Sequence, residues 1–213
     1  IEILQPLRMD IPSTGLAPGK TVLRAERVTG GHDPDHPVIR DLSLTLTGPE
    51  RVVLAGPNGS GKTTLLKIIT GQIVPQTGLV ELSVPFALLD QHVDILDPAR
   101  SLRDNFRSLN PAADPHTAQA ALARFGFRAA EALRPAGELS GGERLRAGLA
   151  CALGATPPPP LLVLDEPTNH LDLDGIAALE AALASYDGAV LAVSHDTAFL
   201  DSLAPDRTVD LGA

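Results

Sequence analysis

At residues 56–64 the chain reads GPNGSGKTT, directly after the apolar run Val52–Ala55 and directly before LLKIIT. Gly56 through Thr63 satisfy the pattern G-x-x-x-x-G-K-[ST] in full, in the strand–loop–helix setting that this pattern needs. Gly56, Gly59 and Gly61 let the backbone curl so that its N–H groups point inward at a phosphate. A helix beginning near Lys62 turns its positive end toward the same place. Lys62 is expected to bridge the β- and γ-phosphates and Thr63 to hold Mg²⁺ through its hydroxyl. Pro57, Asn58, Ser60 and Thr64 complete the cradle. A glycine-rich turn without chemistry is the bland alternative, and the flanking strand and helix argue against it.

The rest of the chain is organised around that loop. VVLA at 52–55, FALL at 86–89, LLVL at 161–164 and AVLAV at 189–193 are short, solidly apolar runs separated by helical stretches. Strands apolar on both faces and alternating with helices predict a parallel sheet covered on both sides. VLRAERV at 22–28 and LSLTL at 42–46 alternate instead, and the polar GGHDPDHP at 30–37 between them predicts an antiparallel hairpin. Between Asp94 and Thr156 the chain is rich in Ala, Leu and Arg, with helices expected over 116–127 and from Ser140 to about Leu153. Pro157–Pro160 predict a stiff connector into the next core strand. Residues 1–20, with Pro6, Pro12, Gly15, Pro18 and Gly19, read as a linker or docking arm. No internal repeat is present. The fold class is α/β, a core interrupted by a helical insert.

Composition narrows the function. Aromatic residues make up 3%, with no Trp and one Tyr, so Leu, Val, Ile and Ala build the core and base-stacking surfaces are not expected. The formal net charge of -9 does not fit a binder of phosphate backbones. Arg100, Arg103 and Arg107 recur at near-helical spacing, as a solvated helix face or a local basic patch. Cys151 is the only cysteine; internal disulfides are excluded and a reducing compartment is expected. Its neighbours Leu149, Ala150, Ala152 and Leu153 indicate a small buried side chain. No apolar run approaches the roughly 18 residues of a membrane span, and Glu2, Gln5 and Arg8 interrupt any signal peptide. The first residue is Ile, consistent with a piece of a longer protein.

Two further motifs decide which kind of nucleotide chemistry is meant. LLVLDE at 161–166 is an apolar strand ending in two carboxylates. Asp165 is placed to reach the Mg²⁺ shell and Glu166 to orient and deprotonate an attacking water. LSGGE at 139–143 opens a helix, where Ser140 and the two glycines make an anion-receptive start. Alone it is also an ordinary capped helix. Together these motifs resemble the ATP-binding cassette (ABC) ATPase family, over about residues 20–212. The resemblance implies further roles. Gln91 matches the loop glutamine that contacts Mg²⁺ and the catalytic water, Leu171-Asp172 the loop that crosses a dimer interface, and His195 the switch histidine at the γ-phosphate. It implies a P-loop core with a small antiparallel β subdomain and a helical subdomain at about 93–154, within a cassette spanning 21–213. Two cassettes close head to tail in this family, so Ser140, Gly141 and Gly142 would serve a partner's nucleotide. The isolated chain is then expected to bind nucleotide but to hydrolyse it poorly.

One departure and one branch follow. Many cassettes stack adenine on an aromatic residue after the first strand, but VTGGHDPDHP contains none, leaving His32 and an open choice between ATP and GTP. EPTNHLD at 166–172 resembles the ABC-F branch, soluble, cytoplasmic tandem-cassette proteins, many of which act on the ribosome. Only 48 residues separate Gln91 from Ser140, too few for the long helical arm of a first ABC-F cassette. The chain therefore looks like a second cassette, paired with one upstream or with a homodimer mate. The alternative is the motor subunit of a membrane transporter; a repair-type ATPase is disfavoured by the lack of a long coiled coil. An exposed apolar groove beside Gln91 would favour the transporter. A polar surface with outward basic residues would favour the ribosome.

Overall fold

The computed structural model describes residues 9–169 and 171–212. The first eight residues of the expected arm, His170 of the EPTNHLD motif and the terminal Ala213 lie outside the described residues. The chain divides into two units, one of residues 9–14, 87–159 and 167–187, the other of residues 15–86, 160–166 and 188–212.

The second unit carries the strands read from the sequence. β1 (Thr21–Gly30) and β2 (Ile39–Thr47) pair antiparallel, and β4 (Thr77–Leu82) adds to the other side of β1, giving the order β2-β1-β4. Leu44 and Leu46 are buried while Ser43 and Thr45 are exposed, as a sheet with one covered face requires. A parallel sheet runs β6-β7-β3-β8, from β6 (Leu161–Asp165), β7 (Ala189–Val193), β3 (Arg51–Ala55) and β8 (Arg207–Asp210). Every residue of β7 is buried, the signature of a strand covered on both faces. α1 (Lys62–Ile69) follows β3 and α6 (Thr197–Leu203) follows β7. The α/β class, with an antiparallel and a parallel sheet, is as the sequence predicts.

The first unit is mainly helical. β5 (Phe86–Asp90) leads into it, followed by α2 (Leu102–Leu109), α3 (Pro115–Arg124), α4 (Gly141–Leu153) and α5 (Leu173–Ser185). Each helix starts on a side-chain cap that accepts a backbone N–H: Ser101 from Asp104, Asp114 from Thr117, Ser140 from Glu143 and Asp172 from Gly175. Phe106, Phe125, Phe127 and Leu122 are fully buried among these helices, each worth on the order of 2–3 kcal/mol of burial. Asn105 is a buried polar residue with every amide atom used. Its Oδ1 accepts from the Asp97 N–H at 2.7 Å, and its Nδ2 donates to the carbonyls of Asp97, Ser101 and Arg100. Arg100 pairs with Asp97, and Arg107 donates to the Ala113 carbonyl, so both exposed arginines are tied locally. Cys151 is buried, and burial pushes its thiol up to about 12.

Candidate nucleotide site

The phosphate loop connects the end of β3 to α1, and its geometry follows from glycine. Gly61 caps α1 in the left-handed region (φ 94°), contributing no side chain to the helix N-terminus. A β-carbon there would lie 2.8 Å from Ile39 Cδ1, so position 61 is limited both by conformation and by space. The exposed N-terminal turn of a helix is receptive to anions because its first N–H groups have no partner within the helix. Lys62 is buried, its ammonium donating to the carbonyls of Gly56 at 2.7 Å and Pro57 at 2.9 Å. Thr63 points the other way, its hydroxyl 3.2 Å from Asp165 Oδ1 at the end of β6.

Glu166, one residue beyond β6, adopts φ 49°, a backbone that non-glycine residues rarely take. Its N–H donates to the Val193 carbonyl at 2.9 Å, which fixes the turn against the end of β7. The Glu166 side chain is 17% exposed and meets His195 twice: Oε1 lies 3.3 Å from Nε2, and Oε2 accepts from the His195 N–H at 3.3 Å. Asn58, Lys62, Thr63, Glu166 and His195 line one cleft of about 370 Å³, with Val38 on its apolar side. Val38 lies just past the region without aromatics, half-exposed; its isolated position ahead of β2 carried no signal in the sequence. His32 is exposed.

The remaining expected residues lie in the helical unit, where they form two groups. Gln91, exposed just after β5, accepts at Oε1 from Asn169 Nδ2 at 3.4 Å. Ser140 caps α4 in a reciprocal box, with Glu143 Oε2 accepting from the Ser140 N–H at 2.9 Å and Arg134 donating to Glu143 Oε1 at 3.1 Å. The Ser140 N–H holds the Glu143 carboxyl below its usual range; burial opposes this, and Arg134 adds to it. Gly141 and Gly142 form the first turn of α4. Asp172 caps α5 through the Gly175 N–H at 2.8 Å, and its Oδ1 lies where a β-carbon of Gly142 would be. Arg134, Glu143 and Asn169 were not among the expected site residues. For Glu143 the signal was present, in the capping-box spacing of Ser140 and Glu143.

Among the described residues no helix is long and apolar enough to cross a membrane, and no group of three or more His, Cys, Asp or Glu could hold a metal ion by itself. The family model described as ABC transporter matches residues 39–169. The chain is 38% identical over 171 residues to the ATP-binding protein Uup of Escherichia coli, covering 78% of this chain and 27% of Uup. It is 36% identical over 191 residues to the energy-dependent translational throttle protein EttA of Mycobacterium tuberculosis, covering 86% and 33%. It is 36% identical over 197 residues to the Bacillus subtilis ATP-binding protein YdiF, covering 92% and 30%. The chain spans about a third of the length of these relatives. An inward-facing metal-chelate type ABC transporter shares the fold at a TM-score of 0.74 and 23% identity, covering 90% of this chain and 80% of that one.

Proposed function

Because this chain belongs to the ABC transporter family of ATP-binding domains, we propose that it is the second cassette of a tandem ABC-F protein that hydrolyses ATP to time its action on the ribosome, in the cytoplasm. The observation that carries the ATPase reading is the Glu166–His195 pair at the mouth of the phosphate loop. Lys62 now spends its ammonium on the loop's own carbonyls and would exchange these for phosphate oxygens. The Thr63 hydroxyl and Asp165 carboxylate offer the hard oxygen donors that Mg²⁺ takes alongside nucleotide phosphates. When bound, the ion neutralises charge on those phosphates.

In the chemical step Glu166 takes a proton from water, and the water oxygen forms a bond to the γ-phosphorus. The bond from γ-phosphorus to the β–γ bridging oxygen breaks, its electron pair leaving on ADP. His195, held by Glu166, would sense the γ-phosphate. Ser140, Gly141 and Gly142, with Asp172, would complete the site of a second cassette, which makes ATP binding a closure signal and hydrolysis a release.

The ribosomal assignment rests on similarity to EttA, whose name makes it a translational throttle. Against a transporter motor stands the surface around Gln91, which lacks the exposed apolar groove that reading calls for, although it is not basic. Gln91, His92, Asp94 and Asp97 are exposed there, and among the described residues of 87–100 no large apolar side chain is exposed to receive a membrane partner's helix. The test is co-sedimentation of the complete Glu166→Gln protein with purified ribosomes, in ATP and in ADP. Pelleting in ATP alone is the expected result. An ATP-binding protein that pellets in neither nucleotide would return the assignment to a transporter motor.

A further inference from the structure

The segment ahead of β1 makes a contact that the nucleotide site does not use. Met9, Ile11 and Thr14 are buried and belong to the same unit as the helices. One carboxylate fastens the end of this segment. Ser13 Oγ donates to Asp187 Oδ2 at 2.6 Å, and Thr14 donates to Oδ1 from both its N–H and its hydroxyl, each at 2.8 Å. Hydrogen bonds to an ionised acceptor are the strong kind, about twice a neutral pair. A trailing leader would leave such hydroxyls to water; here three donors converge on one side chain.

Asp187 also stands at a junction. It lies two residues beyond α5, the helix whose other end carries Asp172 over Gly142 of α4. Its neighbour Tyr186 is buried and donates from its hydroxyl to the Pro159 carbonyl at 2.6 Å, at the end of the connector that follows α4. Two adjacent side chains therefore fasten three passages of chain: the arm, the end of α5 and the exit from α4.

We propose that Asp187 is the anchor for chain entering at residue 9, so that a tether from a second cassette ends on the α4–α5 pair. This rests on the tandem reading above. The span of a tether sets the effective concentration of the module it carries. Releasing residues 9–14 would add about 20 Å of contour, at roughly 3.3 Å per residue, and would separate the tether's end from α4 and α5. Anchoring thus lowers the ATP concentration at which the cassettes close.

The test uses the complete protein with Asp187→Ala, read by hydrogen exchange over residues 9–14 and by turnover as a function of ATP. Exchange at 9–14 should rise about tenfold or more with β7 unchanged, and the ATP needed for half-maximal turnover should rise about threefold. Six Gly/Ser residues inserted ahead of residue 9 in the natural protein should raise the ATP requirement while leaving 9–14 protected. Unchanged exchange at 9–14 overturns the anchor. Faster exchange with an unchanged ATP requirement overturns its part in cassette pairing. Should Asp187→Ala also speed exchange in β7, Ser13→Ala with Thr14→Val decides by the same two readouts. If turnover of the natural protein proves independent of the second cassette, the tandem reading and the tether role fall together, and exchange at 9–14 still judges the anchor.

Discussion

A β-carbon on Gly142 would overlap Oδ1 of Asp172 and lie 3.0 Å from the Gly175 N–H nitrogen. Neither neighbour is free to move, because that oxygen is the cap of α5. Gly142→Ala is therefore expected to cost about 1–3 kcal/mol, the usual penalty of overpacking. Thermal melting should show it as a drop of roughly 2–4 °C per kcal/mol. Asp187 behaves differently, since it responds to protons. Burial pushes its carboxyl up, but the hydrogen bonds from Ser13 and Thr14 outweigh this and leave it below the usual carboxylate range. Its folded pKa is thus lower than its unfolded one, so its stabilising contribution is complete above the unfolded value near 3.8 and is lost as pH falls through the folded one. Neither feature shows in the sequence as a pattern, because each depends on residues far apart along the chain meeting at one atom.

Among the elements, α4 carries a motif with two readings. LSGGE predicts a helix start and, by resemblance, part of a nucleotide site, and the Ser140–Glu143 box fulfils the first by ordinary capping. Ser140→Ala should lower stability by about 1 kcal/mol at neutral pH. The Glu143 carboxyl lies below its ordinary value of 4.5, so the box's contribution should be intact above that pH and fade on acidification through the folded pKa. Melting curves of the natural chain and of Glu143→Gln should converge as the pH drops. Strands with solid apolar runs, such as β6 and β7, were legible because burial on both faces leaves no polar positions. β4 and β8 were not, since both are largely exposed and carry no apolar run. α5 is rich in Ala and Leu, yet it follows Asp172 so closely that motif reading stopped at its cap.

For the molecule as a whole, the phosphate loop and its DE strand were legible because their chemistry is written in local backbone and adjacent side chains. Val38 in the cleft, Asn169 on Gln91 and the Asp187 anchor required the folded chain. The family's pairing of cassettes carries an expectation for this chain alone: it should bind nucleotide yet turn over at least about tenfold more slowly than the complete protein. Equilibrium binding and phosphate release on the same preparation check it, and brisk release by a demonstrably monomeric sample would contradict it. The buried position of Cys151 has a practical consequence of another kind. Burial pushes its thiol up to about 12, so the unreactive thiol form prevails at pH 8, and that sulfur is shielded within α4. A thiol-specific dye therefore keeps time by the opening of this helix, and the natural sequence, with its one cysteine, already contains the clock.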